Sequence, residues 1–109
     1  MARPKLPPKV EQRLEMPIMP PNRTLVRREV RRAIKRAGLE PVRDSAKVTI
    51  TWVERDVTHS HAQISEGVMA VFKTLQEAGI VPAGCTFLDA RQRLKATGPR
   101  IEVTIEGRQ

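Results

Sequence analysis

Metal-assisted cleavage of a phosphodiester needs carboxylates gathered around Mg²⁺, which activates water and stabilises the leaving oxygen. Glu54, Asp56, Glu66 and Asp89 are the candidates in this chain. Glu54 and Asp56 fall at the end of an expected strand, two residues apart and so on one side of it. Glu66 falls on the helix after it and Asp89 on the next strand, an order that can bring the four to one sheet edge. The reading takes Asp56 and Glu66 as catalytic and Asp56 and Asp89 as metal ligands. The alternative is scattered surface carboxylates. His59 and His61 with Cys85 or Asp56 suggest zinc, but no companion ligands stand at metal-site spacing. Cys85 beside an apolar strand reads as a buried, inert thiol rather than a nucleophile. His61, in the first turn of a helix, reads as a polar residue at the mouth of a site. Neither a GxGxxG loop nor a P-loop pattern is present.

The second constellation is cationic. Residues 1–43 hold 12 Lys/Arg against four Asp/Glu, and residues 44–109 hold eight of each, so the whole net charge of +8 lies in the first part. The densest run is Arg27-Arg28-Glu29-Val30-Arg31-Arg32-Ala33-Ile34-Lys35-Arg36. A one-signed field of this kind focuses polyanions, nucleic acid above all. Arg23, Arg27, Arg28, Arg31, Arg32, Lys35 and Arg36 are the expected phosphate contacts. A merely solvated helix face is the competing reading. It fits poorly, because Glu29 alone offsets the cations and like charges at i, i+4 each cost a few tenths of a kcal/mol.

These residues must be positioned by a small set of elements. Residues 1–12 read as a flexible basic arm. Leu14, Met16 and Ile18 alternate over a strand at 13–18, which Pro17 demotes to an edge or a strand end. Pro20-Pro21-Asn22 breaks the chain and starts a helix over 23–37, with Val26, Val30, Ala33, Ile34 and Ala37 on its apolar face and Gly38 as its cap. Residues 47–53 alternate as a strand, with Val48, Ile50 and Trp52 inward and Trp52 in the core. A second helix spans 60–78, opened by a Ser60/Gln63 capping box and closed by Gly79, with Ile64, Val68, Val71, Phe72 and Leu75 buried. Strands at 85–94 and 100–106 flank a turn at Ala96-Thr97-Gly98-Pro99. The order β-α-β-α-β-β predicts a single α/β (α+β) domain over 13–109, its helices packed on a mixed sheet.

The remaining composition narrows the functions. At 109 residues the chain is large enough for one core without staples. One cysteine excludes an internal disulfide and a multi-cysteine zinc site, and fits a reducing cytoplasm. No apolar run reaches the roughly 20 residues of a membrane span, and the N-terminus lacks the apolar stretch of a secretory signal. With no tyrosine and 3% aromatics, recognition by base stacking is disfavoured.

Four landmarks resemble the RusA-like family of Holliday junction resolvases. Met19-Pro20-Pro21-Asn22 is similar to its proline-rich segment after the first strand. Arg55-Asp56 stands where the family carries R-D-x-D-N. Phe72-Lys73-Thr74-Leu75-Gln76-Glu77-Ala78-Gly79 resembles F-D-x-L-x-x-A-G. Leu88-Asp89-Ala90-Arg91 followed by Pro99-Arg100-Ile101-Glu102-Val103-Thr104-Ile105 is similar to the closing strand pair. The likeness covers about residues 13–106. It implies a small, basic, homodimeric, Mg²⁺-dependent endonuclease, often phage-borne, that cuts four-way DNA junctions in recombination and repair. The chain departs from the family at its acidic cluster. Asp56 matches the first aspartate, while the second falls on Thr58 and the asparagine on His59. The paired acids after A-G fall on Ala83 and Gly84, and the helix lysine on Met69.

The expected function is therefore binding of branched DNA in the cytoplasm of a bacterial or phage-infected cell, with Mg²⁺-dependent cutting if the carboxylates assemble. The alternatives are a catalytically inactive DNA-binding relative, a phage accessory factor whose arginine helix meets an acidic protein, and a small RNA-binding protein of ribosomal type.

Overall fold

The structure, a computed structural model, describes residues 9–19, 22–84, 86–94 and 98–108. Its elements are β1 (Val10–Met16), α1 (Arg23–Ala37), β2 (Arg43–Glu54), α2 (His61–Glu77), β3 (Thr86–Leu94) and β4 (Arg100–Arg108). The order is the expected β-α-β-α-β-β, and the fold is a small α+β domain with two helices packed on one four-stranded mixed sheet. The strands lie in the order β1-β4-β2-β3. β4 runs antiparallel to both β1 and β2, while β2 and β3 are parallel. A parallel pair cannot be joined by a hairpin, and α2 supplies the crossover.

Strand alternation sorts the side chains onto two faces. Leu14 and Met16 of β1, Ala46, Val48, Ile50 and Trp52 of β2, and Ile101, Val103 and Ile105 of β4 lie under the helices, all buried. Val26, Val30 and Ala33 of α1 and Ile64, Val68, Val71, Phe72 and Leu75 of α2 complete the core from above. Each large aliphatic side chain so buried contributes about 1.5–3 kcal/mol. α2 approaches β2 so closely at Gly67 that a Cβ there would lie 2.7 Å from Cζ3 of Trp52. The absence of a side chain at Gly67 is thus what leaves room for the indole beneath the helix.

The other face of the sheet is polar. It carries Glu11, Arg13 and Glu15 of β1, Lys47, Thr49 and Thr51 of β2, Asp89, Arg91 and Arg93 of β3, and Glu102, Thr104 and Glu106 of β4. Two apolar side chains share this face, Phe87 of β3, which is exposed, and Val53 of β2, which is fully buried. Val53 stands in register between Arg93 and Arg100. Both guanidiniums bind Glu102, with Arg93 Nη2 at 2.8 and 2.9 Å and Arg100 Nε at 2.9 Å, and this cluster roofs the valine.

Three boundaries differ from the sequence expectations. β1 starts at Val10 and stops before Pro17, whose missing N–H cannot donate to the ladder. Residues 10–12 thus pair with β4 rather than forming part of an arm. Gln12 fixes that end, donating to the Glu40 carbonyl at 2.9 Å and accepting from the Glu40 N–H at 2.8 Å. β2 begins at Arg43, beyond a register shift between Arg43 and Lys47, and β4 continues to Arg108. Ala37, expected on the apolar face, is exposed. The rest of the expected arm (1–8), Pro20, Pro21, Cys85 and the first half of the expected turn, Ala96 and Thr97, lie outside the described residues. No helix among the described residues is long and apolar enough to cross a membrane.

Candidate functional site

α1 is closed at both ends by local chemistry. Asn22 accepts the Leu25 N–H on its Oδ1 at 3.1 Å, and Gly38 takes φ 64°, a left-handed conformation that costs glycine little. The core-facing stripe Val26, Val30 and Ala33 then turns the remaining faces outward. All seven expected phosphate contacts are exposed. Arg27 is partly occupied, since it reaches α2 and pairs with Glu77 at 2.8 Å. Arg32 pairs with Glu29 at 3.3 Å. Such exposed pairs are worth about 0–1 kcal/mol, so both arginines exchange readily to a phosphate. Arg23, Arg28, Arg31, Lys35 and Arg36 have no acidic partner among the described residues.

Helical spacing organises these cations. Arg28, Arg31 and Lys35 follow one another at i, i+3, i+7 along one stripe, about 5 Å apart along the axis. Arg32 and Arg36 form a second row beside them at i, i+4. The first turn contains no acidic residue, and Arg23 stands at the end where the helix dipole disfavours a cation. Lys35 and Arg36 sit in the last turn, where it favours them. A groove between the helices carries the positive surface onto α2, lined by Arg23, Glu66, Met69, Ala70 and Lys73.

The acidic candidates are placed in three different settings. Asp56 is exposed after β2 and lines an open cleft of about 300 Å³ with Ile18, Glu54, Arg55, Thr58, His59 and Pro99. Glu66 lies on α2, in the groove with Arg23 and Lys73. Asp89 is on the polar face of the sheet, where Arg91 holds its Oδ2 through Nη2 at 2.8 Å and Nε at 3.0 Å. Asp56, Glu66 and Asp89 thus do not form one donor set. Among the described residues, no group of three or more His, Cys, Asp or Glu is arranged to hold a metal ion. Mg²⁺ needs convergent oxygens, and these positions do not fit that requirement together.

Glu54, the fourth candidate carboxylate, is the one to which the sequence gives neither a catalytic nor a metal-binding role. It occupies the inward position after Trp52 on β2 and is 2% exposed. Three donors surround it. The indole Nε1–H of Trp52 donates to Oε1 at 2.5 Å, the Thr58 N–H donates to Oε2 at 3.1 Å, and His59 Nδ1 meets Oε1. Burial pushes the carboxyl upward, but these hydrogen bonds and the neighbouring imidazole outweigh it and hold it below the usual 4.5. An ionised carboxylate only accepts, so Nδ1 of His59 carries its proton. The imidazole stands edge-on to Trp52, with ring centroids 5.3 Å apart and planes at 70°. The available signal was positional, because an acidic residue at the inward register of an apolar strand must be buried and satisfied. His61, by contrast, is exposed in the first turn of α2, beside the Ser60/Gln63 capping box that forms as expected.

No family model matches the chain, and no curated protein matches it in sequence.

Proposed function

We propose that this protein binds DNA through the outer surface of α1, gripping backbone phosphates without reading bases. One observation carries the reading: Arg28, Arg31, Lys35 and Arg36 stand exposed on one helix with no acidic partner among the described residues. A helix that keeps so many like charges loses stability by it, and a polyanion returns that loss. The scarcity of aromatic residues agrees with phosphate contact rather than stacking. The likeness to RusA-like resolvases, carried by Arg55-Asp56 and Phe72–Gly79, supplies the preferred form, a branched duplex, and with it a homodimer acting in the cytoplasm. β1 and β3, the two edges of the sheet, are the available strands for a symmetric pairing.

Binding is favoured over Mg²⁺-dependent cutting because Asp89 is committed to Arg91 and Asp56 and Glu66 line different clefts. The experiment is incubation with a labelled four-way junction and its matched duplex in Mg²⁺, Mn²⁺ and EDTA, reading binding and products together. Tighter binding to the junction with no metal-dependent product is the expected result. Paired, metal-dependent nicks would overturn the non-cutting reading. Binding to neither DNA would overturn the function.

A further inference from the structure

The cleft at the end of β2 holds a second constellation that phosphate binding by α1 does not use. His59 is held on three sides, by Glu54 at Nδ1, by the edge-on indole of Trp52, and by the Thr58 hydroxyl, 3.0 Å from Nδ1. Its side chain remains 34% exposed and lines the cleft. In the neutral ring with Nδ1–H donated to this buried acceptor, Nε2 carries the lone pair, and no group among the described residues occupies it. A buried carboxylate that fixes the tautomer and orientation of a half-exposed imidazole is how a protein prepares a proton acceptor. Arg55, exposed and lining the same cleft, supplies a guanidinium for the oxygens of a phosphoryl group. Asp56 is the other charged side chain of the lining beside Glu54 and Arg55.

We infer that this cleft is a metal-independent site for cleaving RNA by transesterification, with His59 as general base and Arg55 as phosphate clamp. This rests on the reading that the chain binds nucleic acid, and it adds a chemical step to it. A ribose brings its own nucleophile, so no metal-bound water is required. His59 Nε2 takes the proton of a 2′-hydroxyl. The 2′-oxygen bonds to the adjacent phosphorus, and the bond from phosphorus to the 5′-oxygen breaks. The departing 5′-oxygen takes a proton from water, and His59 later returns its proton to solvent. The products are a 2′,3′-cyclic phosphate and a 5′-hydroxyl, with no change in redox state. DNA lacks the 2′-hydroxyl and is bound but left intact by this route.

The test uses the full chain with a labelled single-stranded RNA, the same oligonucleotide carrying one 2′-deoxy residue at the cut position, and the all-DNA version, each in EDTA. Binding is recorded alongside products. The expected result is a 2′,3′-cyclic-phosphate product from RNA alone, with the 2′-deoxy substrate uncut at that position. His59→Gln, purified in parallel, should lose about 10²-fold or more in rate. Arg55→Ala, a change at an exposed side chain, should lower the rate while the melting temperature stays that of the wild type. Bound but uncut RNA, or equal cutting by wild type and His59→Gln, would overturn the inference and leave phosphate binding by α1 standing. Failure to bind RNA or DNA at all would overturn both.

Discussion

Glu54 shows how one buried side chain sets the local geometry of a site. Its carboxylate satisfies the Trp52 indole and the Thr58 N–H at the same time as it orients His59. Glu54→Ala strands the buried indole N–H, which costs about 1–3 kcal/mol, and frees the imidazole. Chemical denaturation measures the first effect, and loss of the edge-on His59–Trp52 contact, read by tryptophan fluorescence, reports the second. The carboxyl is held below 4.5, so its contribution to stability is complete above the unfolded value and is lost as pH falls through the lower folded value. Glu102 behaves alike: burial raises it, while the hydrogen bond and charge of Arg100 and the charge of Arg93 hold it down. Stability measured from pH 6 downward should therefore fall most below about 4.5, and the double variant Glu54→Gln/Glu102→Gln should flatten that acid limb. Little of this was legible beforehand. The tally of carboxylates available to a metal treated Glu54 as one of four candidates. Its two-residue spacing from Trp52 nevertheless put it on the inward face, where an acid must find donors.

At the scale of elements, patterning carried most of the information. Val26, Val30 and Ala33 at helical spacing, an asparagine before and a glycine after, delimit α1 without reference to the rest of the chain. The alternation of Val48, Ile50 and Trp52 does the same for the centre of β2. The ends were less legible because tertiary pairing decides them. Val10–Gln12 carry no strong strand signal, yet they pair with β4 and are pinned by Gln12 to Glu40. Gly67 was also invisible as a constraint, since its role depends on the indole across the interface. Gly67→Ala makes a sharp case. Helix propensity alone would stabilise α2 by about 1 kcal/mol. The new Cβ would sit 2.7 Å from Cζ3 of a rigid, buried ring, and overpacking costs about 1–3 kcal/mol. The variant should be destabilised on balance by denaturant titration. A gain in stability would mean that Trp52 shifts easily.

Across the whole molecule, charge is distributed by layer. The polar sheet face balances its cations with carboxylates, as in Arg93–Glu102–Arg100 and Arg91–Asp89. The exposed surface of α1 does not. Composition located that asymmetry in residues 1–43, and the fold concentrates its central part on one rod. Arg27 and Arg32 looked equivalent to their neighbours in the sequence, and only the packing of α2 and the position of Glu29 distinguish them. Arg28, Arg31, Lys35 and Arg36 are therefore the residues whose loss should weaken binding most. Counterion release makes this measurable, because each phosphate contact contributes roughly 0.9 to the slope of log K against log salt on duplex DNA. The deciding measurement is that slope for a labelled four-way junction, with the wild type and with Arg28→Ala/Arg31→Ala/Lys35→Ala/Arg36→Ala. Weaker binding by the variant and a slope shallower by about 3–4 is the expected result. Equal affinity and an equal slope would show that α1 is not the surface that holds nucleic acid.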